Sequence, residues 1–414
     1  MIIDSLPTDD AAASEVLTDA EIGLDPGTTA PLHFTPAATW SPLVISFPHV
    51  GLEWPDDEHQ PRPTVDFARN ADLAVDHLYP DAALLGAATV RARFSRLLID
   101  LNRAPDDVSA ALVPDHPAPR PRQPPWASTG GRSPPVHNRG LIWRTAVGNV
   151  PIFNGPLLYA DLRLRLRRYY DPYHRAIEIL LERRLARFGY AVLLEAHSMP
   201  SSVPGDLVLG TFEGGACSPE LEALALVALS TPGPPGVSLA VRLNDPYRGG
   251  ELVRKFGRPE HGIHALQLEV NRALYMDEAS LQLRPEVSRA TNLRGESPPA
   301  SSLSARSPPS SSSPSSPSSP SSLWGKPGSA AQRPQIASAI SGAKAASAVL
   351  PLALLYRVRS LVAALATVSP RLAPAAPAAP APGVPCPPAN PTLVASSRGT
   401  AHFGEPLCRR RPRG

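Results

Sequence analysis

The sequence predicts an α/β protein, a single domain whose mostly parallel, mixed central sheet is flanked by helices, with disordered termini. Three observations predict it. Apolar runs of strand length recur at Leu43-Val-Ile-Ser-Phe47, Val192-Leu-Leu-Glu195 and His264-Ala-Leu-Gln-Leu-Glu269, and nearly continuous apolar strands belong to parallel sheets covered on both faces. Helical periodicity over 161–188 stops at Gly189 and passes directly into the second run, the helix-to-strand step of an α/β domain. Proline is the third: 52 of 414 residues, against a usual level of about 5%, concentrated toward the ends. That leaves one folded domain of about 250 residues, enough for a large core.

In chain order, residues 1–39 read as a flexible lead-in, 40–292 as the domain, and 293–414 as a low-complexity tail. A buried strand starts at Pro42 and is bounded by Pro48. Residues 71–88 predict a helix with Leu73, Val75, Leu78, Ala82, Leu84 and Leu85 on an apolar face, and Asp72 and Asp76 four apart on another. A strand over 89–96 follows, then a Pro/Arg/Gly/Ser-rich loop at 113–138 suited to a lid or insertion. The helix over 161–188 is expected to kink or divide at Pro172. After the 191–195 strand come a helix at 219–230, a strand at 237–243, a glycine-rich loop at 244–250, a short helix near 251–257 and a strand at 263–270. The Ser/Pro tract at 307–322 is too poor in apolar residues to fold. Residues 336–367 have the composition of an Ala/Leu-rich helix broken at Pro351.

A net charge of +3 implies no nucleic-acid partner. Cys217, Cys386 and Cys408 supply neither a disulfide framework nor a cysteine zinc site. The N-terminus lacks the basic and apolar regions of a signal peptide, and no uncharged apolar run reaches the roughly 18 residues of a membrane span. The expectation is a soluble cytoplasmic protein with no membrane partner, its oligomeric state open.

Sheets of this kind bind ligands at the carboxyl ends of their strands, and polar residues sit there. His49, one of Asp72 or Asp76, and His197 would make a two-histidine, one-carboxylate zinc site with an open fourth position. Glu269 would be the general base. The plainer readings are a loop or core histidine after proline and a solvated pair of aspartates. Glu269 resists such a reading, since an unpaired carboxylate inside an apolar run is expensive to bury. Arg103, Arg144 and Arg248 are candidates for bidentate capture of a carboxylate, with surface arginines as the alternative. Gly249 and Gly250 either make a turn or let backbone amides approach an anionic substrate. His264 is a substrate contact, a group orienting a ligand, or a satisfied strand histidine.

The chain resembles the N-formylglutamate amidohydrolases over about residues 40–290. The resemblance rests on Ile45-Ser-Phe-Pro-His-Val-Gly51, Asp72-Leu-Ala-Val-Asp-His-Leu-Tyr79, Ile99-Asp-Leu-Asn-Arg103 and Glu195-Ala-His-Ser-Met199. It continues in order through Asp206-Leu-Val-Leu-Gly210, Cys217-Ser-Pro-Glu220, Tyr247-Arg-Gly-Gly250, Gly262-Ile-His-Ala-Leu-Gln-Leu-Glu269 and Tyr275-Met-Asp-Glu278. It implies a zinc exopeptidase-like fold and zinc-dependent hydrolysis of N-formyl-L-glutamate in histidine breakdown. Carried over residue by residue, it makes His49, Asp72 and His197 zinc ligands and Glu269 the base. Asp76 and Glu195 then orient ligands from behind, and Asn102, Arg103, Arg144, Arg248, Gly249, Gly250 and His264 meet a small N-formyl or N-acyl amino acid, with Ser198 as a further hydrogen-bonding group. A related metal-dependent amidase or carboxypeptidase-like hydrolase on another N-acyl amino acid is the alternative. A non-catalytic metal- or carboxylate-binding module is the alternative from another class. The family's final helix begins at Leu281-Gln-Leu-Arg-Pro-Glu286 and is interrupted by the Ser/Pro tract, so everything after about Asn292 is expected to be unrelated to the domain.

Overall fold

Seven strands form one mixed sheet. They are β1 (Leu32–Thr35), β2 (Leu43–Phe47), β3 (Ala88–Ala92), β4 (Ala191–Met199), β5 (Leu207–Gly210), β6 (Val241–Leu243) and β7 (Ile263–Asn271), in the order β1-β3-β2-β4-β7-β5-β6. The computed structural model describes residues 15–122 apart from 57 and 59, 139–231, 233, 237–292 and 333–367. The central strands β3, β2, β4 and β7 run parallel. β1 lies antiparallel to β3, and β5 antiparallel to β7 but parallel to β6.

The central strands are apolar on both faces because both are covered. On one face Val44, Leu193 and Ala265 pack with residues of α3 (Asp171–Phe188) and α5 (Glu251–Phe256), among them Ile177, Leu180, Leu252 and Phe256. On the other, Ile45, Leu194 and Leu268 share a core cluster with Leu221 and Ala225 of α4 (Pro219–Ser230), and the helix Arg333–Ala366, which packs against α4, adds Leu354, Val358 and Leu361 to it. Alternation along each strand assigns the faces.

Several expectations change. The lead-in is folded from residue 15: β1 extends the sheet, and Glu15 makes a fully buried ion pair with Arg184 at 2.7 Å. Too short to show a period, β1 left no signal in the sequence. Residues 71–88 do not form a helix. A short helix, Phe67–Asn70, ends before Asp72, Ala74 takes a left-handed φ of 57°, and a single 3-10 turn spans Val75–Leu78. Pro80 forbids continuation, and the pull of Asp72 into the interior overrides the helical pattern. The strand expected at 237–243 shrinks to β6, and β5 appears where no strand was expected.

The 161–188 helix is divided as Pro172 implied. Tyr159–Arg165 passes through a π-helical turn at Leu166–Tyr170 into α3, whose first turn holds the proline. Of the loop expected at 113–138, residues 113–122 are without helix or strand and 123–138 lie outside the described residues. Arg333–Ala366 is helical through Pro351 rather than broken there. Its buried positions Leu354, Val358, Leu361 and Leu365 repeat at helical spacing against the core, so this part of the tail is continuous with the domain's packing. The stretch Val349–Ala366 is long and apolar enough to cross a membrane; here its apolar stripe lies on the sheet-covering layer.

Candidate metal centre

Parallel strands end together, and the site lies at their carboxyl ends. His49 follows β2 by two residues, β4 carries Glu195 and His197, and β7 carries Gln267 and Glu269. The register sets Glu195 beside Gln267 and His197 beside Glu269, all on one face. Asp72 arrives from its loop, its backbone N–H donating to His49 O at 2.9 Å.

The imidazoles are held from behind. His49 Nε2 lies 2.8 Å from Asp100 Oδ1, and His197 Nε2 lies 2.6 Å from Glu195 Oε1. An ionised carboxylate only accepts, so each ring keeps its proton on Nε2. Both Nδ1 atoms then aim lone pairs at one point: they are 3.1 Å apart, and Asp72 Oδ2 is 3.3 Å from that of His49 and 2.8 Å from that of His197. Three acceptors converging in a buried place repel unless a positive charge sits among them. These three atoms fall within 4.8 Å of one another, so the cluster can hold a metal ion.

The electrostatics agree. Burial raises the Asp72 carboxyl, but hydrogen bonds and charge from His197 and His49 outweigh it and hold the group well below the usual range. Burial disfavours a charged His197, yet the Glu195 charge and the bonds to Asp72 and Glu195 lift it well above its ordinary value. Glu269, also buried, accepts from Gln267 Nε2 at 3.0 Å. Its carboxyl is pushed up to about 7, chiefly by burial, with the charges of Asp72 and Glu195 adding and His197 and Arg96 opposing.

Asp100 was missed as a site residue. It is fully buried, binds His49, and accepts from Arg96 at 2.8 Å and from Trp143 Nε1 at 3.0 Å. Its signal was available: a carboxylate inside the apolar run Leu97-Leu-Ile-Asp-Leu101 asks the same question as Glu269. Arg96 and Arg139, also missed, both lie over the Trp143 ring, at 4.6 and 4.8 Å from its centroid. Asn102 stands 3.2 Å from His197 Nε2, its Oδ1 fixed by Leu252 N–H at 3.0 Å. Gly250 donates its N–H to Gln267 Oε1 at 2.9 Å. A Cβ on Gly250 would lie 2.2 Å from Asn102 Nδ2, so close approach requires glycine here, while Gly249 needs its φ of +119°.

Other expected residues fall elsewhere. Asp76 pairs with Arg91 at 2.5 Å instead of backing a ligand, because the helix that would have aligned it with Asp72 does not form. Arg248 lies at the surface, on Glu213 at 3.2 Å and over the Phe212 ring. His264 faces away from the cluster: five positions before Glu269, it is on the opposite sheet face and about 17 Å down the strand, where it accepts from Ser218 N–H at 3.1 Å ahead of α4. It is the satisfied strand histidine. Ser198 accepts from Arg272 at 3.1 Å. Arg103 stays beside Asn102, its donors on Asn102 O and Arg139 O, both at 3.2 Å. Arg144 is half-buried next to Trp143.

Fold and site together define an α/β protein with a buried two-histidine, one-carboxylate centre where parallel strands end. A model of the N-formylglutamate amidohydrolase family matches residues 41–276. The chain belongs to that family. It is 34% identical over 269 residues to the N-formylglutamate deformylase of Pseudomonas aeruginosa, which covers 60% of this chain and 88% of that one. The N-formylglutamate deformylase of Pseudomonas putida is 34% identical over 250 residues, 57% of this chain and 82% of its own. The crystal structure of N-formylglutamate amidohydrolase from Ralstonia eutropha JMP134 superposes with a TM-score of 0.54 at 30% identity, covering 64% of this chain and 94% of that one.

Proposed function

We propose that this chain is a zinc-dependent deformylase that hydrolyses N-formyl-L-glutamate to formate and L-glutamate, a step of histidine degradation. The observation behind it is the convergence of His49 Nδ1, Asp72 Oδ2 and His197 Nδ1 beside a protonatable Glu269. Two nitrogens and one oxygen with an open position are a donor set suited to zinc. The family and the deformylase relatives supply the substrate class, and the resemblance supplies the pathway.

In this reading His49, Asp72 and His197 hold the metal, and Asp100 and Glu195 keep the imidazoles in the tautomer that leaves Nδ1 free. Zinc, when bound, supplies Lewis acidity toward the formyl carbonyl and lowers the pKa of water. Glu269 takes a proton from the attacking water as its oxygen bonds to the formyl carbon. It then gives that proton to the amide nitrogen as the C–N bond breaks, leaving formate and the free amine. Arg103 suits a substrate carboxylate, because its donors end on carbonyl oxygens and it makes no ion pair among the described residues.

The test is formate release from N-formylglutamate by zinc-loaded protein, with N-acetylglutamate and a dipeptide in parallel. We expect turnover of the formyl substrate that is lost on exhaustive chelation and regained with zinc. Full turnover by protein shown by metal analysis to be metal-free would sink the zinc mechanism, and a preference for the acetyl or dipeptide substrate would move the activity to another amidase.

A further inference from the structure

Asp72 lies in an irregular stretch, its backbone tied to the strand side by its N–H on His49 O. Within its own turn Asp72 O accepts from Val75 N–H at 3.2 Å, its Oδ2 meets the two imidazoles, and further support comes from the corner just after β7, a 3-10 turn at Arg272–Leu274 and the residue that follows. Arg272 Nη2 donates to Ala71 O at 2.8 Å and lies 3.3 Å from Asp72 Oδ1. The Tyr275 hydroxyl donates to Leu73 O at 3.0 Å. Both peptide neighbours of Asp72, and its outer carboxylate oxygen, are therefore gripped from one corner.

Arg272 is not waiting for a substrate. Its Nε donates to Ser198 Oγ at 3.1 Å and its Nη1 to Glu278 Oε1 at 3.3 Å. With one guanidinium satisfying four partners, and its side chain only 11% exposed, it acts as a clamp. With Oδ1 turned to the clamp, Oδ2 is left facing the two imidazoles. The same corner begins directly after the strand that bears Glu269, so it also fixes the distance between the carboxylate ligand and the base.

We propose that the Arg272–Tyr275 corner is a positioning element that sets Asp72 Oδ2 as a one-oxygen ligand and couples its placement to Glu269. This rests on the metal reading given above. The experiment measures zinc affinity by competition with a chromophoric chelator, then kcat and KM at saturating zinc, for wild type, R272M, R272K and Y275F. Loss of an outer partner of a ligand weakens metal binding about 10- to 100-fold. R272M is expected in that range, with lower kcat and unchanged KM. R272K, which keeps the charge without the fork, is expected between R272M and wild type, and Y275F nearer to wild type.

Melting of the metal-free proteins separates placement from folding, because a purely structural role lowers the melting temperature while leaving zinc affinity of the folded protein intact. Wild-type zinc affinity in R272M would overturn the proposal, as would a raised KM with unchanged kcat, which is the signature of substrate binding. Wild-type behaviour of Y275F would remove Tyr275 from it. Failure of the wild type itself to bind zinc saturably would overturn the metal reading first.

Discussion

Glu269 and His197 are register partners on adjacent parallel strands, so the proposed base and the metal cluster are fixed by sheet geometry rather than by a loop. A general base must be ionised, and this carboxyl is pushed up to about 7. Activity is therefore expected to fall as pH drops through that region, with a bound cation drawing the acid limb lower by favouring the carboxylate. Glu269→Gln is expected to lower kcat by about 10²- to 10⁴-fold and to abolish the acid limb of the kcat/KM profile. Persistence of that limb in the variant would place the titration on another group. At this scale His49, His197 and Glu269 were legible because each is a polar residue in or just beyond an apolar run. From the residues alone the choice between Asp72 and Asp76 was not, since their spacing sets both on one face of a helix that does not form; the resemblance picked Asp72, which is the residue that joins the cluster. His264 could have been set aside from parity alone: it and Glu269 are an odd number of positions apart on one strand, hence on opposite faces.

Among the elements, long periodic segments matched their patterns, as α3, α4 and β7 did. β1 and β5 are four residues each, and a run that short carries too little alternation to separate strand from loop. The glycine loop ahead of α5 shows what an element contributes beyond its own residues. Its Gly250 touches Asn102, which in turn touches His197. Gly250→Ala is expected to push the Asn102 amide out of place and to cut kcat by about 10²-fold, the usual scale for displacement of a site group by roughly 1 Å. Far-UV circular dichroism should hardly change. Wild-type kcat in this variant would show that Asn102 has no part in turnover.

For the whole molecule, what went unread was not the late helix Arg333–Ala366, which its composition announced, but its docking on the domain. Composition flagged the tract before it, but packing against α4 is a long-range fact that no local pattern records. Leu361 is fully buried in that packing, so Leu361→Ala is expected to cost about 2–5 kcal/mol, read from urea denaturation with the slope unchanged. A cost near zero would mean that the helix leaves the core without consequence. Its position in the chain also has a temporal side. Residues 293–332 separate it from the preceding helix, Pro285–Asn292, and at about 5–20 residues per second a ribosome takes seconds to deliver the interval. Throughout that time the apolar face of α4 is made but uncovered. The nascent chain thus passes through a stage at which this face meets water, and a chain stopped near residue 292 is expected to keep it exposed.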